Sequence, residues 1–148
     1  MRPKWLDMLL VMGLLLGGCT EGRPEPVPLQ LNEDMCAFCR MAISEKQFAA
    51  EFINADGEVF KFDDIGCLIH YVRMTKQRDT ARAFFVNDYH RRHWLPAERA
   101  FFVYAPELRT PMGSHLVAFE ERRAAEAFAQ QHRGQVLQFA ELWETWDR

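Results

Sequence analysis

Serine is nearly absent from this 148-residue chain, with Ser44 and Ser114 the two examples. His115 follows Ser114 directly, but adjacency in sequence does not make a catalytic pair. Neither a nucleophile elbow nor a Gly-rich phosphate loop is present. Hydrolytic catalysis therefore has little support. A basic surplus is lacking too: 18 Lys and Arg stand against 21 Asp and Glu, a formal net charge of −3. That argues against a nucleic-acid partner. The pairs Arg91-Arg92 and Arg122-Arg123 read as solvated surface. The chain also lacks the roughly 20-residue apolar run that a membrane-crossing helix needs.

What the start of the chain does hold is a targeting pattern. Arg2 and Lys4 form a basic patch, and Met8 to Leu16 form an apolar run. Its length suits a signal h-region of roughly 7–15 residues. Leu16-Gly17-Gly18-Cys19 then resembles a lipobox, in which the cysteine is lipidated and becomes the mature N-terminus. Residues 1–18 are thus expected to be a lipoprotein signal peptide. Cys19 is the expected lipidation site, anchoring the protein to a bacterial membrane and facing the periplasm or cell exterior. Each buried CH₂ of the lipid contributes roughly 0.8 kcal/mol to that attachment. Pro24, Pro26 and Pro28 stiffen the stretch that follows, and residues 19–33 read as the lipidated N-terminus and a tether.

The remaining residues, 34–148, suffice for one small domain. Phe48, Ala50 and Phe52 alternate as a strand does, Asn54-Ala55-Asp56-Gly57 reads as a turn, and Val59, Phe60 and Phe62 resume as a second strand. Asp63 or Asp64 can cap a helix whose apolar positions are Ile65, Leu68, Ile69 and Val72. Ala83 to Val86 reads as a strand after it. The order then repeats. Ala100 to Tyr104 and Leu116 to Phe119 read as strands, and Glu120-Glu121 favours a helix start. Ala124, Ala125, Phe128 and Ala129 form a buried helical face, Gly134 is a stop, and Val136, Leu137 and Phe139 form a last strand. The expected fold is α+β: two repeated ββαβ units in one domain, with halves at about 34–92 and 93–148.

Sulfur is where the composition departs most from ordinary packing. After the signal peptide the chain has Met35, Met41, Met74 and Met112, and besides the anchor Cys36, Cys39 and Cys67. Four of these lie in Met35-Cys36-Ala37-Phe38-Cys39-Arg40-Met41. Thiolate with thioether is a soft donor set that selects Cu(I) over harder ions. In a strand Cys39 and Met41 would share a face, whereas using Cys36 and Cys39 together requires a turn. Thr110-Pro111-Met112-Gly113 is a turn-like loop that could bring a further sulfur to the same place, unless Met112 is an ordinary hydrophobic plug.

The lipobox, Cys39-Arg40-Met41, Phe62-Asp63-Asp64-Ile65-Gly66-Cys67, Thr110-Pro111-Met112-Gly113 and Ala118-Phe119, in this order, resemble the NosL family. That resemblance implies a pair of ββαβ units and a copper lipoprotein. It implies a chaperone, not an enzyme, supplying Cu(I) for the multicopper site of nitrous oxide reductase. It further implies work beside a membrane ABC-type accessory complex. Cys39, Met41 and Met112 are its ligand candidates, with Cys36, Met35 and Asp34 as further donors. A homodimer sharing sulfurs between two chains is compatible with this reading.

Two other readings stay open. Cys36-x-x-Cys39 outside the cytoplasm invites a thiol-disulfide protein or a structural disulfide. A thioredoxin-like site, however, would put the pair at the start of a long helix. Cys36, Cys39, Cys67 and His70 would form a Cys₃His zinc set. Yet Cys67 and His70 fall opposite the apolar face of their helix, which reads them as surface or side-packing residues.

Overall fold

A computed structural model describes residues 22–145. The expected signal peptide 1–18, the expected anchor Cys19, residues 20 and 21 and residues 146–148 lie outside the described residues. Among the described residues no helix is long and apolar enough to cross a membrane.

Asn54 makes the first hairpin. Its side-chain oxygen accepts from the backbone N–H groups of Asp56 and Glu58 at 3.0 and 2.9 Å, and Gly57 takes φ +84°. This turn joins β1 (Ala50–Ile53) to β2 (Val59–Phe62), paired antiparallel with Phe52 opposite Phe60. α1 (Ile65–Thr75) follows, capped by Asp64 and ended by Lys76 in the left-handed conformation. β3 (Ala83–Asn87) then pairs with the other edge of β1. The second half supplies β5 (Phe101–Tyr104), β6 (Leu116–Phe119), α2 (Arg122–Gln131) and β7 (Gln135–Gln138), with β5 central in its sheet. Both halves are therefore ββαβ units, the α+β arrangement expected.

Three features depart from the sequence reading. β4 (Trp94–Pro96) extends the first sheet to the order β2-β1-β3-β4, so the chain leaves the first half after residue 96, not 92. Phe139 opens a helix, α3 (Phe139–Thr145), and is not a strand residue. Its ring and that of Trp143 pack on Phe84, a contact between halves that a local pattern does not encode. Gly134 follows α2 as expected, but the left-handed residue is Arg133 at φ +52°. Gly134 is needed for closeness instead: a Cβ there would lie 2.6 Å from the Tyr104 carbonyl oxygen.

The layers run from the first sheet through α1 and α3 to the second sheet, with α2 outside it. Phe52, Phe62, Leu68, Ile69, Phe102, Leu116 and Trp143 belong to one core shared by both halves. Val103, Val117, Phe119, Ala125 and Phe128 form a second core under α2. The back of β1 is covered as well. Val27 donates its backbone N–H to the buried Glu51 carboxylate at 3.0 Å, and Lys61 Nζ donates to the Pro28 carbonyl at 2.8 Å. The proline-rich stretch is thus docked on the domain from Val27 onward. Burial pushes the Glu51 carboxyl above its usual range despite that N–H.

Asp88 stitches the sheets together. It follows β3 and bridges to Ala118 in β6. Its Oδ1 accepts from His90 and Arg91, and its Oδ2 from Glu120, at 2.7–2.9 Å. Burial acts to raise its pKa, but the three backbone N–H groups outweigh burial and hold it below the usual value. A depressed folded pKa stabilises above the unfolded value of about 3.9 and stops doing so as pH falls through the folded value. Asp88→Asn, which turns an amide N–H toward a backbone N–H, is expected to cost about 1–3 kcal/mol at pH 7. In urea titrations the gap from wild type should close below about pH 4. An equal gap at pH 7 and pH 2.5 would contradict this role.

Candidate metal centre

The sulfur-rich segment folds as a tight hairpin. Cys36 N–H donates to the Met41 carbonyl at 2.8 Å, and Arg40 N–H donates to the Cys36 carbonyl at 3.0 Å. Arg40 sits at φ +67°, and Met35 bridges to Ala42. Ala37 N–H donates to the Lys61 carbonyl at 2.8 Å, fastening the turn to β2. The turn that joint use of Cys36 and Cys39 requires is present. The strand that would align Cys39 with Met41 is not, because Cys39 lies in the turn and Arg40 reverses the backbone.

This hairpin lies against the N-terminus of α1 and brings three thiols together. The Sγ atoms of Cys36, Cys39 and Cys67 and a carboxylate oxygen of Asp63 all lie within 4.8 Å of one another. The three cysteines are free thiols. Cys36 is fully buried and Cys67 is 2 % exposed, whereas Cys39 is half-buried. Cys67 is therefore no surface residue: the hairpin covers the side of α1 that the helical pattern leaves open. His70, one turn on, stays exposed and stacks on Phe38 at 5.5 Å between ring centroids. The Cys₃His set is not assembled, and Asp63 occupies the fourth place. Cys36 and Cys39 flank a turn rather than opening a helix, which departs from a thioredoxin-like site.

The doubled carboxylate Asp63-Asp64 divides two tasks. Asp64 takes the helix cap, its Oδ1 accepting from Gly66 N–H at 2.7 Å. Asp63 is left to face the thiols, with Cys39 Sγ donating to its Oδ1 at 3.4 Å. Sequence reasoning treated the two as interchangeable caps and so missed Asp63. The available signal was that one helix start needs only one such carboxylate.

The thiols do not share one acidity. Hydrogen bonding from Cys67 lowers the Cys36 thiol to about 6, against its burial. Cys67, as the donor and itself buried, is pushed up. Desolvation, with Cys36 and Asp63 close by, raises Cys39 to about 11. Such a cluster favours one thiolate that keeps the protons of its neighbours.

The thioethers lie outside this nest. Met35, Met41 and Met112 are 55, 57 and 45 % exposed. Such exposure does not suit the hydrophobic plug considered for Met112. Asp34 is engaged elsewhere, in an ion pair with Lys61 at 2.7 Å. Met112 lines a cleft of about 230 Å³ together with Phe38, Cys67 and His70. Its loop is held there by Asp64, whose Oδ2 accepts from Met112 N–H at 2.9 Å. Removing this carboxylate in Asp64→Ala should cost about 0.5–2 kcal/mol through the lost cap. It should also raise the hydrogen-exchange rate of the Met112 amide. Unchanged protection of that amide would show that the loop is held by something else.

The chain matches the NosL family model over residues 26–146. It is 28 % identical over 150 residues to the copper-binding lipoprotein NosL of Stutzerimonas stutzeri, a match covering 93 % of this chain and 77 % of that one. Its fold is similar to the crystal structure of the copper chaperone NosL from Shewanella denitrificans. There the TM-score is 0.71 at 22 % identity, covering 80 % of this chain and 96 % of the other.

Proposed function

The chain belongs to the NosL family, and from that premise we propose that it is a Cu(I)-binding chaperone. In this reading it carries copper as cargo and catalyses no reaction. The observation that carries the reading is a cluster of three thiols within 4.8 Å of one another, with the exposed Met112 lining the same cleft as Cys67. Thiolate and thioether together suit Cu(I), and zinc sites rarely use thioether. The relative from Stutzerimonas stutzeri, named a copper-binding lipoprotein, supports the same metal.

The proposed copper position uses Cys39 with the thioethers of Met41 and Met112. Cys39 is the thiol nearest to solvent, and Met41 follows it by two residues. Met35, exposed on the opposite arm of the hairpin, is proposed as an additional donor. Cys39 must lose its proton to bind copper, so loading releases protons and strengthens as pH rises. A site with one thiolate and exposed thioethers lets a receiving protein insert a ligand before the old bonds are broken. The proposed recipient is nitrous oxide reductase, with transfer through its membrane ABC-type accessory complex. The proposed anchor is a lipid on Cys19, facing the periplasm or cell exterior.

Two measurements test this. In anaerobic titrations against a competing chelator, Cys39→Ser should weaken Cu(I) binding by at least tenfold. Met41→Ala and Met112→Ala should each weaken it less. Unchanged affinity in all three variants, or zinc bound in preference to Cu(I), would overturn the assignment. Separately, Cys19→Ser should move the protein from the membrane fraction to the soluble fraction. Retention in the membrane would remove the lipid anchor from the proposal.

A further inference from the structure

The copper position just described leaves two thiols unused, Cys36 and Cys67. Both are buried, on different elements: one at the foot of the hairpin, the other in the first turn of α1. Their sulfurs and that of Cys39 are mutually within 4.8 Å. We propose that Cys36 and Cys67 form a second, inner Cu(I) position that shares Cys39 as a bridging thiolate with the outer one. This rests on the copper reading above and extends it from one ion to two.

Geometry and chemistry both support the inner position. Metal–thiolate bonds are roughly 2.3 Å, so two sulfurs on one ion stand about 3.8–4.6 Å apart, depending on the angle. The sulfurs, mutually within 4.8 Å, lie within a few tenths of an ångström of that range, so a bridge needs at most a small side-chain adjustment. Cu(I) accepts few ligands when they are thiolates, so a buried pair suffices. Each thiol that binds gives its proton to solvent, and no electron is transferred. Asp63 faces these sulfurs as a hydrogen-bond acceptor. The inner position is not sealed off. Cys67 and Met112 line the same cleft, which gives an inner ion a path to a thioether at the surface.

The test loads the full chain, purified in detergent under anaerobic conditions, with Cu(I) and counts bound ions per chain. Two equivalents are expected, with a copper–copper vector in the X-ray absorption spectrum of the wild-type protein. Cys36→Ser and Cys67→Ser should each bind one equivalent and lose that vector, while Met112→Ala keeps the inner ion. The spectroscopic measurement on wild type needs no variant to fold. One equivalent in wild type, or two equivalents in both serine variants, would overturn the inner position. If that single ion still depends on Cys39, the chaperone reading stands without it. If no Cu(I) binds, or Zn(II) takes the thiols in preference, both fall.

Discussion

The Asp64 carboxylate holds together what the rest of the structure uses. One oxygen accepts from the first turn of α1, and the other accepts from the loop that carries Met112. The two donors, the N–H groups of Gly66 and Met112, lie on opposite halves of a duplicated fold. The carboxylate is fully buried, and a buried ionisable group persists when its lone pairs are occupied. α1 could form without it at modest cost. What could not form as well is the register between Cys67 in the first half and Met112 in the second. A residue chosen to start a helix also sets the distance across the cleft.

The two ββαβ units have diverged around that point. In the first, Asp64 caps α1 through its side chain. In the second, Glu121 at the matching place makes no side-chain cap, and the backbone of Glu120 is held by Asp88 from the other half. The first unit has therefore kept one carboxylate for its helix cap and turned the other to the thiols, and the second has given its helix start to the inter-sheet seam. α1 lies between the sheets, packed by Leu68, Ile69 and Val72, with its N-terminus against the hairpin. The thiols thus rest on the start of α1 and on the hairpin, and Met112 reaches the same cleft from the second half.

Much of this could be read from the residues. The strands around Asn54 to Gly57, the period of α1 and the face of α2 follow from local preferences, and the structure repeats them. The turn between Cys36 and Cys39 followed from asking both thiols to serve one site. What local reading missed was set by contacts between distant segments. β4 is three residues long and exists because β3 offers an edge. Phe139 leaves its strand because Phe84 lies within reach. Cys67 looks exposed on a helical wheel and is buried because a separate hairpin lies over it. Asp63 was hidden by its neighbour, since both suit the same cap and only the fold decides which one turns away.

The docking of Val27 and Pro28 on β1 has a consequence for geography. If Cys19 is held in a lipid surface, the covalent link from Cys19 to Val27 is short. Eight residue steps of about 3.5 Å allow a reach of about 28 Å at full stretch. The domain then cannot roam. Under that condition it would stay in a thin shell above the bilayer and would meet membrane-embedded neighbours by lateral diffusion in two dimensions. With such an anchor, capture of the chain by Glu51 and Lys61 would shorten the leash and so set the height of the thiol cluster above the lipid.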